Sequence, residues 1–498
     1  MNTPRAIPAL AACLLASGCM VGPDYHRPAA LGSLHYKELA GWQPAQPADM
    51  AAKGDWWVIY KDPFLNQLES RVEISNQNVK VYAAQYAEAQ ETVQAARAQL
   101  FPTLGATAGV TRSSVGRGSS SFSTGTTSGL SNSGISASGK SATATQYTLE
   151  GTASWDVDVW GRIRRQVQSD VAAAQVSAAD LKNAALSAQG SLATDYVELE
   201  YQDSLQDLLE STVTAYQEAL RITHNQVQAG TASPSDEAEA VTQLASAQAL
   251  LVNVGVARGQ YEHAIAVLAG LAPAQLTIPH TPLPQSVPVT PPGVPSALLQ
   301  RRPDIAAAER MMDEENALVG VQIAAFYPDI TLSADFGWEG GPIGMLISAA
   351  NRVWSLGANA TETIFAGGAR SAAVNMARDA YDASIATYRQ TVLSAIQQVE
   401  DELVALKVLQ SQSIAEDTAV RAAQRSVQIA LDEYQAGTQA YTTVVTEQTA
   451  LLSNQETALS VQEQRLAASV ALVQALGGGW TTASLPTPGQ LQSKLPFL

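Results

Sequence analysis

The chain is expected to be mainly α-helical, with four short strands that supply one sector of a membrane β-barrel. Three features of the sequence predict this. One structural unit occurs twice. Each copy holds two segments in which apolar and polar residues alternate. Each pair of alternating segments runs into a very long helix free of proline. Four strands cannot close on themselves, so the barrel must be shared between copies of the chain.

The duplication is read directly. Asn78-Val79…Leu100-Phe101-Pro102-Thr103-Leu104 is echoed by Asp304-Ile305…Phe326-Tyr327-Pro328-Asp329-Ile330 at a constant offset. A second echo pairs Gln228-Ala229-Gly230-Thr231…Leu244…Ser246 with Gln435-Ala436-Gly437-Thr438…Leu451…Ser453. Length alone, 498 residues, would allow several domains, but the repeat argues for one elongated body of two similar halves.

The start resembles a bacterial lipoprotein signal: Arg5 in a short basic lead, an apolar Ala6–Ser17 stretch, and Gly18 before Cys19. Residues 1–18 are read as the signal and Cys19 as the lipid-attachment residue. Leu10-Ala11-Ala12-Cys13 fits the local pattern better, yet leaves too short an apolar stretch ahead of it. Met20 after the cysteine implies, by the same resemblance, sorting to the outer membrane. Residues 19–61, rich in Pro, Gly and Ala, read as an extended strap.

The first repeat spans 62–271. Pro63–Gln99 reads as one helix, with Val72, Val79, Ala83, Tyr86 and Val93 at three- and four-residue steps. A hairpin follows over 103–159. Leu104, Ala106, Ala108 and Val110 alternate with Thr and Gly; a Gly/Ser/Thr-rich loop is expected over 113–141; then Tyr147, Leu149, Ala153 and Trp155 alternate with Glu150, Asp156 and Asp158. Residues 272–302 form a connector; Pro273 to Pro303 contains nine prolines, which favours extended chain. The second repeat, 303–479, carries its hairpin over 328–364. Ile330, Leu332, Ala334, Phe336 and Trp338 oppose Asp329, Ser333, Asp335 and Glu339. Residues 480–498 are a short tail. Such alternation suits a lipid-facing wall and equally a half-buried sheet of a soluble sandwich. The recurrence in all four strands, carboxylates on the polar side, and Trp155, Trp338 and Trp354 near strand ends favour the membrane.

Arg162–Gln228 and Arg370–Gln435 each read as one helix of about 100 Å at 1.5 Å per residue. Their Ala-rich stripes, such as Val167, Val171, Ala174 and Ala178, recur at nearly 3.6 residues, so the helices should run almost straight. Gly230 and Gly437 end them, and return helices follow over Pro234–Leu271 and Gln439–Leu476.

Composition excludes several functions. A net charge of −17 repels nucleic acid, and no basic stripe offsets it. After the N-terminus no run of 18 apolar residues occurs, so no transmembrane helix is expected. The five histidines, His26, His35, His224, His263 and His280, are scattered without metal-ligand spacing. No catalytic constellation is present, and neither a cofactor nor a metal is expected. The number of chains per barrel stays open on these grounds, since two, three or four would give even-numbered barrels.

The chain resembles the TolC family of outer-membrane factors, nearest the OprM/NodT-type efflux lipoproteins. The resemblance rests on Cys19…Gly22-Pro23-Asp24-Tyr25…Arg27-Pro28, Trp56-Trp57, Arg301-Arg302-Pro303-Asp304-Ile305, Phe326-Tyr327-Pro328 and the paired Ala-Gly-Thr turns. It implies a homotrimer, a twelve-stranded barrel and a periplasmic helical tunnel. A periplasmic adaptor and an inner-membrane pump, commonly of the resistance-nodulation-division type, are implied as partners. It also implies a gate at the helical tip, where Asp236 and Tyr434 match the family's positions. Gln439, Thr443 and Thr446 stand where basic and acidic residues are usual, so a salt-linked lock should be weaker here.

Gly230-Thr231 and Gly437-Thr438 are expected to dock the adaptor. Glu150, Asp156, Asp158 and Asp335 are expected to line the lumen and favour cations. The expected function is a passive efflux duct for drugs or small toxic compounds. An exit duct for a type I protein secretion system and a lipid-anchored coiled-coil scaffold without a pore are the alternatives.

Overall fold

A computed structural model describes residues 20–29, 37, 55–115, 142–288 and 301–493. The expected signal segment, Cys19, most of the strap, most of the Gly/Ser/Thr-rich loop and the end of the tail lie outside the described residues.

The elements follow chain order as α1 (Pro63–Ser75), α2 (Gln77–Ala98), β1 (Thr103–Val115), β2 (Ala142–Asp156), α3 (Arg162–Gln228) and α4 (Pro234–Leu268). The second half repeats them as α5 (Pro303–Ala324), β3 (Asp329–Gly340), β4 (Arg352–Thr361), α6 (Ala369–Gln435) and α7 (Tyr441–Ala475). Corresponding helices match in length: α2 and α5 have 22 residues each, α3 and α6 have 67, and α4 and α7 have 35. A 67-residue helix is about 100 Å long.

One sequence expectation is corrected at the start. Pro63 to Gln99 is not a single helix but two, broken at Asn76. The Asn76 backbone is extended; its side-chain oxygen accepts from the amides of Asn78 and Val79, and its Nδ2 donates to the Leu268 carbonyl at 2.8 Å. One side chain thus caps α2 and pins α4. The first strand also runs to Val115, two residues beyond the expected start of the loop.

The four strands form one antiparallel sheet in the order β1-β2-β3-β4. Register fixes the faces. Leu104 pairs with Ala153, Ala153 with Ala334, and Ala334 with Leu356; one row away, Gly151, Phe336 and Trp354 align. Directly opposed residues share a face, so the apolar sets of all four strands lie on one side. β1 and β4 are the sheet's outer strands, each with one edge left to pair.

The helices hang from the other end. The predicted α3 stripe is a core: Val167, Val171, Ala174, Leu192, Tyr196 and Leu199 are all buried. Trp56 and Trp57 insert between the halves, packed on Ala193 of α3 and on Val470 and Val473 of α7. Gly190 permits that approach, since a Cβ there would overlap the Gln474 side chain. Arg302 joins the connector to the body. It forms a two-pronged contact with Asp304, at 3.0 and 2.7 Å, and donates to the Ala475 carbonyl at the end of α7 at 2.9 Å.

The N-terminal strap wraps this frame where it is described. Buried Arg165 donates to the carbonyls of Val21 and Gly22 and to Asp24, while Arg27 pairs with Glu309 on α5 at 3.1 Å. Gly22 has φ +97°, and a Cβ would lie 2.5 Å from the Gly320 Cα, so only glycine lets the strap lie this close to α5.

Candidate functional site

Three zones carry the residues singled out by sequence: the polar face of the sheet, the junction of sheet and helices, and the far tip of the helices.

On the polar face, Glu150 pairs with Thr107 and Gly337, and Thr152 pairs with Asp335. Asp335 accepts from the Ser355 hydroxyl at 2.8 Å, and Asp156 accepts from Thr331 at 2.9 Å. Glu150, Asp156 and Asp335 thus share one face, opposite the apolar set. Asp158 does not join them. It lies beyond β2, its side chain only 8% exposed, and its carboxylate accepts from the amides of Ile163 and Arg164 and pairs with the Arg164 guanidinium at 3.1 Å. The expected lumen role of Asp158 is therefore corrected: it satisfies the bare N–H groups that open α3. The strand pattern continued by two residues in sequence, whereas the ladder ends at Asp156.

At the junction, Trp160 stacks on Tyr327 with ring centroids 4.8 Å apart, and its indole N–H donates to the Pro328 carbonyl. Trp155 donates to the Leu100 carbonyl at 3.0 Å. These bonds hold the sheet to the helix ends from both repeats.

At the tip, both reversals have the same form. Gly230 and Gly437 adopt φ +74° and +72°, and the Thr231 and Thr438 amides and hydroxyls return to the carbonyls of Gln226 and Glu433. This is a glycine C′ cap repeated in each half. Asp236 sits half-buried in the first turn of α4, next to Glu237, whose carboxylate contacts His224 at 2.7 Å.

Tyr434 departs from the expectation of an entrance-lining aromatic. It is 5% exposed, with its ring 5.1 Å from that of Tyr441, in a cluster completed by Ala240, Ala430 and Val444. The cluster joins α4 of the first half to α6 and α7 of the second. A hydrogen bond from Gln243 to Thr449, at 2.8 Å, extends the same seam. Burial pushes the Tyr434 phenol up, and the nearby Asp236 carboxylate adds to the rise. Tyr441 is pushed up to about 12, mainly by burial. Gln439 is exposed ahead of α7, Thr443 is half-buried, and the Thr446 hydroxyl donates to its own helix at Thr442. Among the described residues none of these three bonds to Asp236, so the tip holds an aromatic seam where a salt link was the family pattern.

Sequence inspection missed Tyr441, the second ring of this seam, although it opens α7 seven residues after Tyr434. It also missed a set of buried carboxyls at mid-height. Glu463 on α7 faces Glu198 on α3, and burial, followed by that neighbour, raises it to about 7. Glu200 is raised to about 8, mainly by burial, then by Asp62 and Asp203. Glu69 on α1 is fully buried, neither of its oxygens has a partner, and burial raises it to about 9. Arg258 instead pairs with Asp203 at 2.6 Å and anchors the connector through the Ile278 carbonyl. The described residues contain no group of His, Cys, Asp and Glu able to hold a metal ion.

An apolar-walled sheet with open edges, set on helices of about 100 Å, defines one sector of an outer-membrane conduit. The chain belongs to the outer membrane efflux protein family, whose model matches residues 68–271 and 294–478. It is 28% identical over 466 residues to the probable efflux pump outer membrane protein TtgC of Pseudomonas putida, covering 93% of each chain. It is equally identical, over 472 residues, to the pyoverdine export outer membrane protein OpmQ of Pseudomonas aeruginosa, covering 95% of this chain and 96% of that one. Among solved structures it is similar to the outer-membrane channel OprN, with a TM-score of 0.82 at 26% identity, covering 93% of this chain and all of that one. The Campylobacter jejuni CmeC outer membrane channel shares the fold with a TM-score of 0.84 at 21% identity, covering 94% and 96%. The chain is thus a TolC-like outer-membrane efflux channel, with its helices on the periplasmic side.

Proposed function

We propose that three copies form a passive exit duct of a tripartite efflux system, carrying drugs or small toxic apolar compounds outward. The channel performs no catalysis. A periplasmic adaptor seats on the Gly230-Thr231 and Gly437-Thr438 turns, and an inner-membrane pump of the resistance-nodulation-division type supplies the energy. Cys19 carries the lipid anchor. Relatives described as toluene and antibiotic efflux proteins support this substrate class.

The observation that carries the reading is the pairing of unfinished edges. β1 and β4 are the outer strands, and lipid offers no hydrogen bonds to an open edge. The helical body is unfinished in the same way. α4 leaves Val241, Val252 and Val256 exposed, and α6, at the opposite flank, leaves Val408, Ile414 and Ile429 exposed. By length and composition α4 could cross a membrane, contrary to the expectation from apolar runs. Its packing along α3 and its reversal at the tip make that apolar surface an inter-chain face instead. Unlike edges on opposite flanks give a head-to-tail ring, and three copies complete twelve strands.

The test joins assembly to transport. Purified protein should run as a trimer and conduct in planar bilayers. Cells in which it is the sole outer-membrane exit for a matched pump should accumulate less of an apolar dye than cells lacking it. A non-conducting monomer, or unchanged dye levels, refutes the proposal.

Asp236 fits a ring at the entrance, helped by the N-terminal dipole of α4, while Tyr434 and Tyr441 act as a latch between the halves. Opening parts the seam, so the seam rather than a salt link sets the closed state. Gln439, Thr443 and Thr446 are neutral parts of the same entrance. Glu150, Asp156 and Asp335 make the barrel lumen negative and favour cations.

A further inference from the structure

The sheet sorts its charges by face. Register puts every strand carboxylate, Glu150, Asp156, Asp329, Asp335 and Glu339, on the polar side. The apolar side carries no carboxylate. Its only charged residues are Arg112 of β1 and Arg352 of β4, the latter directly opposite Trp338. Both arginines are exposed, and neither guanidinium has an ion-pair or hydrogen-bond partner among the described residues.

Both also stand toward the end of the sheet remote from the helices, which is the extracellular end. Trp354, two residues from Arg352, shares its face, and the adjoining turn exposes Ile343, Met345 and Ile347. Residues 341–351, the turn next to Arg352, contain no acid in a chain of net charge −17. Below the arginines, Leu104, Ala153, Phe336, Trp354 and Leu356 line a shallow apolar trough.

An arginine on a lipid-facing wall is costly unless it meets an anion near the interface. Guanidinium matches phosphate with paired hydrogen bonds, and the aromatic rings beside it suit the headgroup level. We infer that this outer rim binds a phosphorylated lipid of the outer leaflet, with phosphate at Arg112 and Arg352 and acyl chains along the trough. The inference rests on the barrel and its orientation, not on the pump partnership.

Full-length protein in phosphatidylcholine nanodiscs would be titrated with bis-phosphorylated lipid A and with the same lipid stripped of phosphate, bound lipid being counted by native mass spectrometry. The wild type should prefer the phosphorylated form by about thirtyfold, two surface cations' worth. Arg112→Gln/Arg352→Gln should lose the preference, and Arg112→Lys/Arg352→Lys should keep most of it. Equal binding of both lipids by the wild type, or a preference surviving in the glutamine variant, overturns the inference. Displacement of the lipid by equimolar inorganic phosphate also overturns it, by showing an anion site without lipid specificity. Conductance of the glutamine variant should match the wild type, so failure here leaves the duct reading untouched.

Discussion

Replacing Tyr441 with alanine tests the tip most directly. The ring is 2% exposed and packs on Tyr434, itself 5% exposed, with Ala240 and Val444 closing the cluster. Removing a fully buried aromatic side chain costs roughly 3 kcal/mol or more in packing. If the open state has already parted this seam, the loss falls on the closed state alone. The ratio of open to closed channel should then rise about a hundredfold per seam, since each 1.4 kcal/mol is a factor of ten. Tyr441→Phe keeps the ring and should change the ratio less than about tenfold. The pair also carries a coupling of about 1 kcal/mol from ring contact, so the double variant Tyr434→Ala/Tyr441→Ala should fall short of the summed single effects. Single-channel dwell times in planar bilayers measure each ratio, with circular dichroism melts to confirm the fold. Wild-type closed dwell times in a folded Tyr441→Ala trimer would refute the latch.

The remaining predictions concern charge and the turns. Glu69 is raised to about 9 from an ordinary 4.5, so the folded state holds a proton that the unfolded chain releases. Its contribution is whole below pH 4.5 and is lost as pH climbs through about 9. Glu69→Gln, neutral throughout, should raise stability at pH 7 by roughly 3 kcal/mol, and its melting temperature should fall less between pH 5.5 and 8.5 than that of the wild type. Asp158→Ala should lower stability by about 1–2 kcal/mol with no change in reversal potential, whereas Asp335→Asn should shift the reversal potential toward non-selectivity with the melt unchanged. At Gly230 and Gly437 a valine Cβ meets open space, but φ is positive, so local strain of about 1–2 kcal/mol is the only fold cost. Those variants should conduct normally and lose cross-linking to the adaptor.

Much of this was legible because the repeat, the alternation and the helix length are each carried by the residues that make them. Alternation survives in sequence because a sheet with lipid on one face and water on the other needs it at every position; Leu104 through Trp354 could be assigned to a face before any register was known. Glycine turns were legible for a similar reason, since only their φ requires that residue. The misses share a different cause. Asn76 breaks a helix through its own side-chain bonds, while the periodicity runs on past it. Asp158 continues a strand pattern, yet its partners are the helix that follows. Tyr434 is buried rather than open to the entrance because Tyr441, on the far side of the turn, packs onto it.

These features divide the molecule by the kind of interaction that must hold it. In the membrane the sheet gains nothing from apolar burial against lipid, so its edges and their hydrogen bonds decide assembly. In the periplasm the long helices carry small residues, each burying little area, so closeness must compensate; Gly190 against Gln474 and Gly22 against Gly320 are where that closeness is achieved. Along the body, Trp56 and Trp57 lock one half to the other by packing, while Arg302 ties the connector to the second half through Asp304 and the Ala475 carbonyl. At the tip the lock thins to two tyrosines, a few small side chains and one Gln243–Thr449 bond, with no ion pair between the halves among the described residues. Firm coupling at the equator and sparse coupling at the tip are what the proposed separation of the distal hairpins needs. The opening proposed for the tip, with the barrel kept sealed in lipid at the other end, requires that gradient of stability.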